Sequence, residues 1–141
     1  MSYVYHLDEG VITLPEGFTD HTLHMFKWVF PEGECSLAVQ RERLPADKTF
    51  EEMVKLVTDP YPKQFPSYTE EPVVPVVLDL PHTTRRFRWR KEAAVSYHHQ
   101  IFIDLEGSML LITASGQARL RERVDEVLHE TLSGLRLRQR G

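Results

Sequence analysis

Leu23-His24-Met25-Phe26-Lys27-Trp28, led in by Thr22, and His98-His99-Gln100-Ile101-Phe102-Ile103 are the two runs that decide the fold. Both read as β-strands, and both carry apolar side chains at odd and even positions alike. Successive side chains of a strand point to opposite sides of its sheet. A sheet apolar on both faces needs cover on both. Only two segments of the chain have convincing helical periodicity. The surplus apolar face is therefore expected to be a binding surface.

The remaining elements follow from local signals. Tyr3 to Leu7 and Gly10 to Leu14 read as short strands around Asp8-Glu9, with Leu14-Pro15-Glu16-Gly17 as a turn. Thr22 to Phe30 is a longer strand, closed by Pro31-Glu32-Gly33, with Cys35 to Arg43 as its hairpin partner. Thr49 and Glu52 have capping-box spacing, and Phe50, Met53, Val54 and Val57 fall on one helical stripe behind them. Proline cannot donate to the helical ladder, so Pro60 and Pro62 should end that helix. Six prolines between Pro60 and Pro81 make this stretch extended, and Val73 to Leu80 is at most an edge strand. A meander is expected over Thr83 to Lys91, Val95 to Asp104 and Ser108 to Ser115. Leu120, Val124, Val127, Leu128 and Leu132 then mark a second amphipathic helix, closed by Gly134 in the left-handed conformation common at helix ends. Strands in runs with a helix after each predict one α+β domain, residues 1–141, on a largely antiparallel sheet.

Parity separates the faces. Leu37, Val39, Phe87, Trp89, Val95, Tyr97, Ile101 and Ile103 are bulky and are expected to form the core beneath both helices. The second face is expected to hold Ser36, Ala38, Gln40, Ser96, His98, Gln100 and Phe102, with Leu23, Met25, Met109 and Leu111. Small residues allow close approach and methionine repacks around varied partners, so this mixture suits a bound helix. Gln100 supplies a donor and an acceptor there.

Composition excludes several classes. Hydrophobic residues make up 41% and charged residues 27% of 141 positions, ordinary for a globular domain. Net charge is −4, with residues 1–81 at −8 and 82–141 at +4. Cys35 is the single cysteine, which excludes an intramolecular disulfide and reads as a small buried hydrophobe. No apolar run reaches the roughly 18 residues of a membrane span. The N-terminal residues lack a signal-peptide layout, so a cytoplasmic location is expected. Adjacent His98 and His99 point to opposite faces and cannot share a metal ion without a bulge, so no metal site is expected. Arg85-Arg86-Phe87-Arg88-Trp89-Arg90 alternates charge and aromatic across two faces, which argues against nucleic-acid binding. No nucleophile motif or phosphate loop is present, so neither catalysis nor a cofactor is expected.

With these residues in place, the chain resembles the DcrB-like family and, within it, the Eag-type chaperones of type VI secretion effectors. The resemblance runs from Leu14-Pro15 to the last helix. It rests on Leu14-Pro15-Glu16-Gly17-Phe18-Thr19-Asp20, His21-Thr22-Leu23-His24-Met25-Phe26-Lys27, Phe87-Arg88-Trp89-Arg90 and Gln100-Ile101-Phe102-Ile103. It implies a PsbP-like sandwich with a curved sheet, a homodimer, and a concave surface that shields apolar N-terminal transmembrane helices of an effector before export. It also implies that Leu23, Met25 and Gln100 hold the client helix, with Ala38, Val57 and Phe65 at further groove positions. Val57 departs from the family pattern, where a polar amide is expected. Two rival readings remain open at this point. A lipid or small molecule would suit the same face, and that face would equally serve as a plain dimer interface.

Overall fold

The computed structural model describes residues 3–7, 10–15 and 23–136. Asp8-Glu9, Glu16-Gly17 and Thr22, assigned above to turns and a strand start, lie outside the described residues. A two-stranded hairpin comes first, β1 (Tyr3–Leu7) against β2 (Gly10–Leu14). The main sheet holds β3 (Leu23–Phe30), β4 (Gly33–Arg43), β5 (Thr69–Glu71), β6 (His82–Lys91), β7 (Ala94–Asp104) and β8 (Ser108–Gln117). Its spatial order is β3-β4-β8-β7-β6-β5 and every pairing is antiparallel.

Helix α1 (Phe50–Thr58) starts where the capping box places it: the Thr49 hydroxyl accepts from Glu52 N–H and the Glu52 carboxylate accepts from Thr49 N–H. A one-turn helix, α2 (Tyr61–Gln64), follows with Pro62 in its first turn, where the missing N–H costs nothing. Helix α3 (Arg121–Ser133) is entered through a 3-10 turn at Ala118–Leu120. Gly134 caps it and donates its N–H to the Glu130 carbonyl, but at φ −92°, not in the expected left-handed conformation.

The two long helices cover opposite faces of the sheet, not one. Leu120 of the 3-10 turn and Val124, Val127, Leu128 and Leu132 of α3 pack on Cys35, Leu37, Tyr97, Ile101, Ile103, Ile112 and Ala114. A methyl group at Gly116 would stand 2.9 Å from Val124 Cγ2, so the missing side chain there lets α3 seat closely on β8. On the other face α1 lays its stripe, Phe50, Met53, Val54 and Val57, over Phe102, Met109 and Leu111. Residues 72–78 form no strand. They run as a strap whose Val76 joins Leu78 and Leu80 in packing on the α3 core, while Val73 and Val77 stay exposed. Cys35 is buried, and burial pushes its thiol pKa up, so it packs as the sequence suggested.

A second reassignment follows from register. Phe87 pairs with His98 and Arg86 with His99, so Phe87 and Trp89 share the face of Gln100, while Arg86 and Arg88 share the face of Tyr97 and α3. The expected core assignment of Phe87 and Trp89 is thereby reversed. The cause is one residue of turn length: Lys91 pairs with Ala94 across a two-residue turn, with Glu92 at φ 57°. A three-residue gap, as read from the sequence, puts every side chain of β6 on the wrong side.

Candidate functional site

Cross-strand pairing lays the α1 face out in rows. One row runs Met25–Ala38–Thr113–Gln100–Arg85 from β3 to β6. The row on one side is Leu23–Gln40–Leu111–Phe102–Thr83, and on the other Lys27–Ser36–Ser115–His98–Phe87. All eight residues expected to hold a client lie on this face or on the elements covering it. They divide into three groups.

Leu23, Met25 and Ala38 are open. Leu23 is 46% and Met25 65% exposed on β3, and Ala38 beside them is half-buried. Ser36, Ala38, Thr113 and Ser115 make a floor of small, half-buried side chains next to them. Small side chains keep that floor low, so an object lying on it comes close to the backbone.

Phe65, His98 and Gln100 form the opposite wall. Phe65 follows α2 directly and its ring lies 5.4 Å from Phe87, 5.3 Å from Trp89 and 5.3 Å from Tyr61. The His98 ring stacks on Phe87 at 4.8 Å. Trp89 Nε1–H donates to His98 Nε2 at 2.8 Å, so Nε2 carries the lone pair and the proton sits on Nδ1, 2.9 Å from Ser115 Oγ. Burial pushes the His98 pKa down to about 4. Gln100 Nε2 donates to the Tyr61 hydroxyl at 3.1 Å and to Thr113 Oγ1 at 3.3 Å. Its buried Oε1 has no hydrogen-bond partner among the described residues. An unpaired buried acceptor is costly, on the order of 1–3 kcal/mol. Tyr61, Thr113, Phe87 and Trp89 thus belong to the site although the sequence did not single them out for it.

Phe102 does not reach the surface of the trough, whereas Val57 is half-buried. Phe102 is fully buried and Val57 packs in the same small core under α1. The expected role of Phe102 as a client contact is corrected to holding α1 on the sheet. The reason is the helix placement above: α1 roofs the Phe102 end of this face and leaves the β3 side uncovered. The apolar side chain of Val57, where the resemblance implies a polar amide, fits the apolar stripe that seats α1.

The His98 geometry fixes a pH dependence. An unfolded histidine titrates near ~6.5, and His98 in the fold near about 4. The fold holds the neutral ring, so this stability is complete above the unfolded value and is lost as pH falls from there towards the folded one. The contribution amounts to about 3 kcal/mol over that window. Urea unfolding between about pH 7 and about pH 4.5 should show this slope, and His98→Gln should flatten it. An unchanged slope in the variant would place the titration elsewhere.

Comparison with known proteins agrees with this architecture. No curated protein matches the chain. Among solved structures, protein PA94 of Pseudomonas aeruginosa, of unknown function, superposes with a TM-score of 0.77 at 18% identity, covering 99% of both chains. LpqN of Mycobacterium tuberculosis, involved in cell envelope biogenesis, superposes at 0.52 with 9% identity over 92% of this chain and 88% of its own. At such identities these two likenesses concern the fold alone. The sequence itself matches the DcrB family model over residues 9–134, from before the Leu14-Pro15 turn to Gly134. With nearly the whole chain inside that match, the protein belongs to the DcrB family.

Proposed function

We propose that the trough between β3 and the aromatic wall shields an apolar N-terminal helix of a type VI secretion effector, in the cytoplasm and without nucleotide, until the effector is loaded on the secretion spike. One observation carries this reading: Leu23 and Met25 are exposed beside a floor of small side chains, on a face whose other end the chain roofs for itself. The dimensions suit a helix. From β3 to β7 the sheet crosses three strand spacings of about 4.8 Å each, or ~14 Å, and a helix with its side chains is about 10 Å across. Covering ~300 Å² of apolar helix surface gains about 7 kcal/mol before the costs of association. A bilayer offers the helix the same burial, so release needs no energy source.

Co-production with an apolar segment of ~20 residues fused to a soluble carrier tests the reading. The wild-type chain should retain the fusion in solution. Ala38→Trp raises the floor and should weaken retention about tenfold, a loss of ~1.4 kcal/mol. Native mass spectrometry showing a copurified lipid, with no effect of Ala38→Trp on helix retention, would turn the assignment to a lipid-binding module.

A further inference from the structure

His99 stands fully buried on the α3 face of β7, and only one of its two ring nitrogens is accounted for. Nδ1 lies 2.8 Å from Asp125 Oδ1, and a carboxylate can only accept, so Nδ1 carries a proton. Nε2, across the ring, is shut off from solvent and has no hydrogen-bond partner among the described residues. Native proteins rarely leave such an atom unmatched, and a water or a metal ion is the usual match. The His129 ring is close by. It belongs to α3, one helical turn beyond Asp125, and its centroid is 6.1 Å from that of His99, with the planes 60° apart. His129 is exposed and, with Asp79, lines a cavity of ≈ 690 Å³ between the strap and α3, so ions reach its imidazole from solvent.

We propose that His99 Nε2 and the His129 imidazole bind one divalent ion of the zinc type, which ties α3 to β7 on the face away from the trough. A histidine that holds a metal through one nitrogen commonly donates its other N–H to a carboxylate, which fixes its tautomer and orientation. His99 and Asp125 already have that arrangement, and the Tyr97 hydroxyl holds the same carboxylate oxygen at 2.6 Å. Zinc–nitrogen bonds of ~2.1 Å put the centroids of two imidazoles on a tetrahedral ion about 5.3 Å apart. A side-chain rotation of exposed His129 closes that difference. His98, on the opposite face of β7, takes no part. Among the described residues no three or more His, Cys, Asp or Glu side chains are grouped to hold a metal. Two imidazoles are therefore the protein's whole share of the shell, with water completing it. Binding is then weaker than at a structural zinc site, where four side chains ligate. Imidazole donors favour late first-row ions, so Cu²⁺ should bind tighter than Zn²⁺ and Mn²⁺ weaker.

The test takes the purified, chelator-treated chain with Zn²⁺ alone as the probe. It needs no client, so it stands apart from the chaperone reading. Titration calorimetry should show Zn²⁺ binding, and saturating Zn²⁺ should raise the urea midpoint, because the ion binds the folded pairing of β7 with α3. His129→Ala alters an exposed side chain and should leave the fold intact, weaken zinc binding at least tenfold and abolish the rise in midpoint. His24→Ala, at an exposed histidine of β3, should change neither quantity. Imidazole ¹⁵N spectra should show Zn²⁺ moving the Nε2 signal of His99 while Nδ1 keeps its proton. A chain that binds no Zn²⁺ overturns the proposal and makes a water the partner of Nε2. Binding that survives His129→Ala, or that leaves the His99 Nε2 signal in place, overturns it as well and marks an adventitious ion only.

Discussion

A chain carrying Leu23→Asp and Met25→Asp should fail to hold an apolar helix in solution while melting within a few degrees of wild type. The two halves of this expectation have separate causes. In the free protein both side chains are exposed, at 46% and 65%, so their replacement removes little burial. Surface changes of this kind stay within about 1 kcal/mol, even allowing for the poor strand propensity of aspartate. In the complex each apolar side chain would cover client surface, contributing ~1.5–3 kcal/mol if fully buried. Each aspartate would instead bring a carboxylate against hydrocarbon, which costs more than the lost contact. Together the two changes should exceed ~4 kcal/mol, a loss of about a thousandfold in affinity. Val77→Asp is the control, because Val77 is an exposed valine on the strap, away from the trough. It should leave retention unchanged. If the double variant retains the helix as well as the control does, the trough on the β3 side is not the binding surface.

Elements defined by neighbouring residues were readable from the sequence, and relations between distant elements were not. The capping box at Thr49 and Glu52 and the stripe from Phe50 to Val57 are local, and both stand in the structure. The turn after Phe30 and the exposure of Leu23 and Met25 likewise follow from their own neighbourhoods. The side of the sheet that α1 covers depends on the path of the chain after Arg43, and no periodicity encodes that path. Parity alone therefore puts Phe102 in an open groove, whereas it lies under α1. The parity of β6 hung on whether Ala94 belongs to the turn or to β7. Glu92-Ala93 carries no glycine or asparagine to advertise a two-residue turn, and the missing signal moved Phe87 and Trp89 to the wrong face. α2 and β5 were hidden among prolines, although Pro62 sits where a helix accepts one. Tyr61 was lost with α2, and with it the donor–acceptor partner of Gln100.

Asp125→Ala should destabilise the protein by about 3–5 kcal/mol without touching the trough. Asp125 stands on α3, and its Oδ1 accepts from the Tyr97 hydroxyl at 2.6 Å and from His99 Nδ1 at 2.8 Å. Arg86 joins the same group, donating from Nε to the Tyr97 oxygen at 2.6 Å and approaching Asp125 Oδ2 at 3.5 Å. Tyr97 and His99 are fully buried, so removing the carboxylate takes the acceptor from two buried donors, at ~1–3 kcal/mol each. Arg86 keeps Glu71, 3.7 Å away, which Arg88 and Arg121 also approach, so that charge is not left alone. Burial pushes the Asp125 carboxyl up, but the hydrogen bonds from His99 and Tyr97 and the charge of Arg86 outweigh it and hold the pKa below the usual carboxylate range. A carboxyl depressed in the fold stabilises above its unfolded value, near ~3.9, and loses that contribution as pH falls through its folded value. The acid limb due to Asp125 therefore lies below the one due to His98, and Asp125→Ala should remove only the lower limb. Asp125→Asn keeps an acceptor for one or both donors and should cost ~1–2 kcal/mol. Because the cluster lies on the α3 face, client retention by Asp125→Ala, measured cold where it is folded, should match wild type. Loss of retention there would mean that the two faces are coupled through the sheet, and that the trough depends on how α3 is seated.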